Sequence, residues 1–163
     1  MEHATVQQRV AADIMQRDMV TVAPSDTLRD ALALMTENHV TGLPVMDGKS
    51  RCIGLITASD ILGFEEEHAE ESTNDGMLQH FNPEISRWES VPISAFGLEE
   101  FGDVRVEEVM TRDLISVDRG TPLKKVARKM LDNDVHRVLV MDDKFNLYGI
   151  ITSFDFVRVI AGA

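Results

Sequence analysis

The chain has 163 residues, of which 44% are hydrophobic, so it can bury one sizeable core, or two small cores packed together, without covalent cross-links. Its only cysteine, Cys52, excludes an internal disulfide framework and a cysteine-rich zinc site, and fits a reducing compartment. The N-terminus lacks the features of a secretion signal and no run of about 18 apolar residues occurs, so we expect a soluble, cytoplasmic protein.

The formal net charge of −12 is concentrated in one segment of the chain. Residues 65–108 carry 13 acidic and 2 basic groups, whereas residues 1–64 and 109–163 are nearly neutral. A negative field repels phosphates at long range, so we expect no generic binding to nucleic acid or to an anionic membrane.

An internal repeat relates the two nearly neutral segments. The sequence aligns with itself at an offset of 95 residues, without a gap, from Asp13 to Gly63. Of 51 aligned positions 16 are identical, which is too many for chance at a single ungapped offset. The identical pairs include Met15/Met110, Val22/Val117, Leu28/Leu123, Met35/Met130, Asp47/Asp142, Gly54/Gly149, Thr57/Thr152 and Asp60/Asp155.

The first copy alternates short apolar runs with one helical pattern. Ser25 and Asp26 are polar residues of the kind that begin a helix, and a polar turn at Asp47–Arg51 separates two apolar runs. In chain order, the pattern predicts a strand at Met19–Val22, a helix at Leu28–Asn38, strands at Leu43–Met46 and Cys52–Ile56, and a helix after Thr57.

The segment between the copies has two halves of different character. Glu65–Asp75 is charged and nearly free of apolar residues, so it is either a solvated extension of the preceding helix or disordered. Met77–Phe101 contains the only tryptophan, Trp88, and several other large apolar residues, which prefer a surface to pack on. We expect it to pack across the two copies or onto a second subunit; the apolar residues are Phe81, Ile85, Trp88, Val91, Ile93, Phe96, Leu98 and Phe101.

The second copy repeats the order of the first. Thr121-Pro122 provides its helix start signal. One β-α-β-β-α unit of about 50 residues buries too little surface to be stable alone, so we predict an α+β fold in which two units pack about a pseudo-twofold axis. Its predicted elements are a strand at Leu114–Val117, a helix at Leu123–Asn133, strands at Val138–Met141 and Leu147–Ile151, and a helix after Thr152.

A Thr-x-x-Asp motif lies at the junction of the last strand and the last helix in each copy, as Thr57/Asp60 and Thr152/Asp155. One interpretation is a capping box, in which threonine and aspartate satisfy backbone N–H groups at the helix start. The other is a ligand site, because free N–H groups and the helix dipole suit a phosphate and a carboxylate suits a ribose diol. The residues alone leave both interpretations open.

Several short strings recur in the same order in both copies, namely DIMQRDMVTV, HVTGLPVMD and CIGLITASDIL with their partners EVMTRDLISV, VHRVLVMDD and YGIITSFDF. Together they closely resemble the cystathionine β-synthase (CBS) domain family, whose members occur as tandem pairs. We therefore divide the chain into a first repeat at 8–64, an insert or linker at 65–105, and a second repeat at 106–163. The insert is longer than the usual connection in this family.

The resemblance implies two nucleotide sites, each drawing on both repeats. In each site the aspartate would hold the ribose hydroxyls and the threonine would lie near the phosphates, while apolar residues of the other repeat would line the adenine pocket. Packing in the core is the alternative role for the methionines and valines. The implied sets are Met15, Val20, Val40 and Thr41 with Thr152 and Asp155, and Met110, Ile115, Val135 and His136 with Thr57 and Asp60.

The pair His136-Arg137 resembles a His-Arg pair that contacts phosphates in nucleotide-binding members of the family, and arginine can bind a phosphate through two parallel hydrogen bonds. An exposed basic pair without a ligand is the alternative. The first copy has Thr41-Gly42 at these positions, so we expect one site to bind an anionic ligand more tightly.

We therefore expect a regulatory or sensor module that binds AMP, ADP, ATP or S-adenosylmethionine, requires no cofactor or metal, associates as a homodimer and acts on a regulated enzyme or transporter. The alternative is a structural or protein-interaction module with empty clefts, which uses the insert for association. Catalysis is not expected, because the sequence lacks metal-ligand spacing, a glycine-rich phosphate loop and a paired nucleophile and base.

Overall fold

The computed structural model describes residues 6–68, 77–82, 84–92 and 103–163. None of the helices in these ranges has the length and apolar character needed to cross a membrane. After a 3-10 turn at Val6–Gln8, the elements are α1 (Ala11–Ile14), α2 (Leu28–Asn38), β1 (Gly42–Met46), β2 (Cys52–Thr57), α3 (Ala58–His68), β3 (Met77–Asn82), β4 (Arg87–Pro92), α4 (Val106–Val109), β5 (Ser116–Val117), α5 (Leu123–Asp132), β6 (Arg137–Met141), β7 (Leu147–Thr152) and α6 (Ser153–Ala161).

The chain forms two compact units, and their limits differ from those of the sequence repeats. Val20–Arg112 forms one unit, named here the central unit. Met19 and the residues before it join Asp113–Ala163 in the other, the terminal unit. Each repeat therefore gives its short entry helix, α1 or α4, to the unit that contains the rest of the other repeat.

The central unit is built on an antiparallel pair, β1 and β2, in which Gly42 is opposite Thr57 and Met46 is opposite Cys52. Burial alternates along β2, whereas Leu43, Pro44 and Val45 of β1 are all buried. The core of this unit contains Val22, Leu28, Ala31, Met35, Leu43, Val45, Ile56, Ala58, Ile61, Val106 and Met110.

Helix α2 has its predicted limits, Leu28–Asn38, but its N-cap differs from the predicted start signals. Its N-cap is Thr27, whose hydroxyl accepts from the N–H of Asp30 at 3.1 Å, while the Asp30 carboxylate accepts from the N–H of Thr27 at 3.1 Å. Neither Ser25 nor Asp26 is the N-cap, and Asp26 instead accepts from the N–H of Ala23 at 2.8 Å. Thr27-x-x-Asp30 is therefore a complete capping box.

The predicted strand at Met19–Val22 is not formed; only Val22 pairs with β1, through a single parallel bridge to Val45. The N–H of Val22 donates to Pro44 O and the N–H of Met46 donates to Val22 O. The next bond of a parallel ladder needs an N–H at Pro44, which proline lacks. At the equivalent position Leu139 donates its N–H to Ile115 O at 3.0 Å.

The terminal unit contains a three-stranded sheet in the order β5-β6-β7, with β5 parallel to β6 and β6 antiparallel to β7. Strand β5 is limited to Ser116–Val117, shorter than the predicted Leu114–Val117. A buried cluster that helices from both ends of the chain share with the sheet includes Ala11, Met15, Val117, Val126, Met130, Val138, Val140 and Ile151.

Backbone details repeat at the offset of 95 residues. The pairing of β1 with β2 shifts register between Val45 and Met46, and that of β6 with β7 shifts between Val140 and Met141. Left-handed backbone occurs at His39 and Asp134, and again at Ser50 and Phe145. Both copies thus have the same local fold, which confirms the predicted α+β class with two repeats.

The described part of the insert contains an antiparallel hairpin, formed by β3 and β4 with Phe81 opposite Trp88. Helix α3 continues through Glu65 to His68, and residues 69–76 lie outside the described part of the chain. Trp88 is 65% exposed and Ile85 is 53% exposed. Of the apolar residues predicted to seek a packing surface, Ile93, Phe96, Leu98 and Phe101 lie outside the described residues.

Candidate functional site

The junction of β2 with α3 brings Thr57 and Asp60 together in the central unit. Asp60 Oδ2 accepts from the N–H of Thr57 at 2.9 Å, and the Thr57 hydroxyl accepts from the N–H of Asp60 at 3.1 Å. Each side chain thus satisfies a backbone N–H of the first helical turn. Both residues remain partly exposed, so the carboxylate can also accept from a solute.

The junction of β7 with α6 has the same residues and a different hydrogen-bond pattern. Asp155 Oδ2 accepts from the N–H of Thr152 at 2.8 Å and from the Thr152 hydroxyl at 3.1 Å. Asp155 Oδ1 accepts from Gln16 Nε2 at 2.9 Å and lies 3.7 Å from Nη1 of Arg158. Asp155 is only 3% exposed, the one charged or polar side chain among the buried described residues.

The entry segment of the opposite repeat runs beside each junction strand. In the terminal unit Gln16 and Ile150 exchange two backbone hydrogen bonds, at 2.9 and 3.0 Å. In the central unit Leu55 and Thr111 do the same, at 3.0 and 2.8 Å. Because Gln16 follows α1 directly, this pairing explains how a residue near the N-terminus comes to contact Asp155.

Close packing of these entry segments requires glycine in the neighbouring strand. A Cβ at Gly149 would lie 2.8 Å from Cγ and Sδ of Met15 and 2.9 Å from Gln16 O. A Cβ at Gly54 would contact the Met110 side chain and lie 3.3 Å from Thr111 O. The buried methionines Met15 and Met110 thus cover the two glycines, as core residues of their units.

The residue that precedes β1 or β6 is hydrogen-bonded to the first residue of the helix that follows the junction strand of the same repeat. Thr41 O accepts from the N–H of Ala58, and His136 O accepts from the N–H of Ser153, both at 2.9 Å. These bonds place Thr41 beside the Thr57 junction and His136 beside the Thr152 junction. Arg137 is the first residue of β6, opposite Thr152.

The two units divide the predicted site residues between them. Met110 shares the central unit with Thr57 and Asp60, and Met15 shares the terminal unit with Thr152 and Asp155. The assembly of complete sites from residues of both units stays a prediction. The remaining predicted residues are Val20, Val40 and Thr41 in the central unit and Ile115, Val135, His136 and Arg137 in the terminal unit.

The sequence did not indicate Gln16, although Gln16 contacts Asp155, the residue predicted to bind the ribose hydroxyls. The two residues are 139 positions apart, and the equivalent of Gln16 in the second copy is Thr111, so the repeat drew no attention to it. An exposed glutamine between two short elements is also ordinary in composition. The signal in the sequence was that the identical pair Met15/Met110 is followed directly by a different pair, Gln16/Thr111.

The arrangement of the two junctions suits the binding of a ligand. Within the described residues, no group of three or more histidine, cysteine, aspartate or glutamate side chains could hold a metal ion. What both junctions offer is a carboxylate fixed at the start of a helix, next to backbone N–H groups. This combination suits a ligand with hydroxyl groups and negative charge.

Comparisons with known proteins agree with this fold. The chain is 28% identical over 155 residues to MJ1225 of Methanocaldococcus jannaschii and 30% identical over 144 residues to CBSX1 of Arabidopsis thaliana, covering 95% and 88% of this chain. It spans only 48% and 59% of the length of these two relatives. The crystal structure of CBSX2 of Arabidopsis in complex with AMP has a TM-score of 0.66 and 25% identity, covering 94% of this chain and 96% of that one.

The sequence model of the CBS domain matches residues 10–67 and 106–162, which correspond to the two repeats. These matches include both Thr-x-x-Asp junctions and both entry segments. The chain therefore belongs to the CBS domain family, with one domain copy in each repeat.

Proposed function

We propose that this protein is a regulatory module that binds an adenine nucleotide, or a related adenosyl ligand such as S-adenosylmethionine, at Thr57/Asp60 and Thr152/Asp155. The observation that carries the proposal is the placement of a fixed carboxylate at the first turn of α3 and of α6, directly after a strand. The complex of CBSX2 with AMP supports adenylate as the ligand class. The three-part division into 8–64, 65–105 and 106–163 belongs to the same proposal.

The polar geometry accounts for the parts of such a ligand. A carboxylate accepts from two ribose hydroxyls, and the N–H groups at the helix start favour a phosphate. Arg137 adds a positive charge beside the terminal junction, next to His136, whereas the first copy has Thr41 and Gly42 beside the Thr57 junction. Unequal affinity for a charged ligand follows from this difference.

Titration calorimetry with AMP, ATP and S-adenosylmethionine tests the proposal. We expect saturable heat from the wild-type protein that Asp60→Asn weakens at least tenfold at one site. The matched control is Asp30→Asn, since Thr27-x-x-Asp30 is the same capping box on a helix that follows no strand. Loss of binding in both variants would reduce the effect to helix capping, and no heat with any of the three ligands would refute the proposal.

We also propose that two copies associate through α6 and that the protein acts in the cytoplasm on a partner enzyme or transporter, without catalysis of its own. The support is a stripe of exposed apolar residues on α6, Phe154, Val157 and Ile160, of which Ile160 is 78% exposed. Residues three apart lie on one side of a helix, so the stripe forms a continuous apolar strip. An isologous dimer would cover it with its own copy.

A second candidate function is that of an interaction module whose working surface is the β3–β4 hairpin. The exposure of Trp88 and Ile85 favours it, because large apolar side chains at an exposed position frequently anchor a partner. The same titrations separate the two functions. A protein that binds no adenosyl ligand, yet changes its assembly when residues 72–100 are deleted, would be an interaction module.

A further inference from the structure

We propose that Gln16 is a positioning residue that occupies Asp155 in the ligand-free protein, so that an adenosyl ligand first engages Asp60 and reaches Asp155 only when the Gln16 amide is displaced. The inference rests on the proposed function and deepens it. It makes the two carboxylates of the module unequal, independently of the phosphate-binding residues.

Both oxygens of the Asp155 carboxylate accept hydrogen bonds within the protein. Oδ2 accepts from the Thr152 N–H and from the Thr152 hydroxyl. Oδ1 accepts from Gln16 Nε2 at 2.9 Å and forms an ion pair with Arg158, whose Nη1 lies 3.7 Å away. A ribose diol must donate to this same carboxylate. With 3% of the residue exposed, a ligand reaches Oδ1 only by replacing the Gln16 amide.

Asp60, at the equivalent position, is open. Among the described residues, only the N–H of Thr57 donates to its carboxylate, at Oδ2. The offset of 95 explains the difference, because Gln16 corresponds to Thr111 and Arg158 corresponds to Gly63. Both side chains that engage Oδ1 of Asp155 are thus replaced, one by a shorter residue and the other by no side chain at all.

The Gln16 side chain can be displaced without unfolding its segment. The backbone of Gln16 is fixed by two hydrogen bonds to Ile150, and Gln16 is an exposed residue. Only side-chain torsions therefore need to change. A hydrogen bond to a charged group is strong enough that competition from Gln16 should weaken ligand binding at Asp155 about 10- to 100-fold.

The test isolates the Asp155 site in the Asp60→Asn background and titrates it with AMP. Gln16→Met preserves the length of the side chain and removes the donor, so we expect AMP to bind about 10- to 100-fold more tightly after this change. Thr111→Val, at the equivalent position of the central unit, is the matched control and should leave the affinity unchanged. Gln16→Asn, which is too short to reach Oδ1, should behave like Gln16→Met and guards against a defect specific to methionine.

A readout without ligand accompanies the titration. The side-chain NH₂ signals of Gln16 in a ¹⁵N NMR spectrum should shift on Asp155→Asn, and excess AMP should move them toward the position of a solvated amide. If AMP binding is unchanged or weaker in both Gln16 variants and the wild-type protein binds AMP, the inference is overturned and the proposed function stands. Absence of AMP binding in every protein, wild type included, would overturn both.

Discussion

Replacement of Gly149 by alanine should destabilise the protein by about 3 kcal/mol. The added Cβ would lie 2.8 Å from Met15 Cγ and Sδ, and 2.9 Å from Gln16 O. The methionine side chain can rotate away, but the carbonyl is backbone and accepts from the N–H of Ile150 at 3.0 Å. To relieve the contact, the entry segment must move outward, which weakens both hydrogen bonds between Gln16 and Ile150.

Urea unfolding followed by circular dichroism measures this loss, and a thermal scan should show a melting temperature lower by roughly 6 to 12 °C for a chain of this size. Gly54→Ala should cost less, because its closest backbone atom, Thr111 O, would be 3.3 Å from the Cβ. Gly63→Ala is the control of opposite sign: its Cβ would meet nothing within 4 Å inside α3, so it should stabilise by about 0.5–1 kcal/mol. Wild-type stability of Gly149→Ala would refute the close pairing of the entry segment with β7.

Substitutions of single side chains test the hydrogen bonding of the aspartates and the exposed surface of α6. Asp155→Ala should lower the free energy of unfolding in urea by about 3 kcal/mol and Asp60→Ala by about 1 kcal/mol, because only the former leaves several donors around a buried position without an acceptor. Equal losses would contradict the difference in hydrogen bonding between the two aspartates. The hydrogen bond from the Asn146 side chain lowers the pKa of Asp142 from 3.8 to about 2, so this carboxylate stabilises the fold above about pH 4 and the contribution is lost as the pH falls toward 2. In Asp142→Asn, the free energy of unfolding should therefore depend less on pH over that interval, and a pH dependence equal to that of the wild type would contradict this role of Asp142. Ile160→Lys should reduce the mass measured by light scattering from two chains to one, and a monomeric wild type would contradict association through α6.

The elements of each repeat were predictable because their signals are local. Helix α2 has the predicted limits, and each of the four main strands lies within one residue of its predicted ends. The Thr-x-x-Asp junctions were also visible, since a cap needs residues only three positions apart. Misjudged features were those set by one atom, such as the missing N–H of Pro44 that ends the pairing of Val22.

The partners of the entry segments were not predictable from the repeat itself. An offset of 95 residues is the same whether Met15 packs against Gly54 or against Gly149, because both glycines occupy equivalent positions. Only long-range packing decides between them. The contact of Gln16 with Asp155 follows from that choice, and no pattern in either copy contains it.

The exchange of entry segments also sets an order for folding. The central unit is one continuous stretch of chain, whereas the terminal unit joins its two parts across a separation of 139 residues between Gln16 and Asp155. Closing a flexible loop of that length costs about 4 kcal/mol in entropy, and the cost falls when the intervening chain is already compact. During synthesis, the segment around Met15 can pack against β7 and α6 only after these two elements have left the ribosome. The Asp60 carboxylate is therefore in place before Asp155 accepts its hydrogen bond from Gln16.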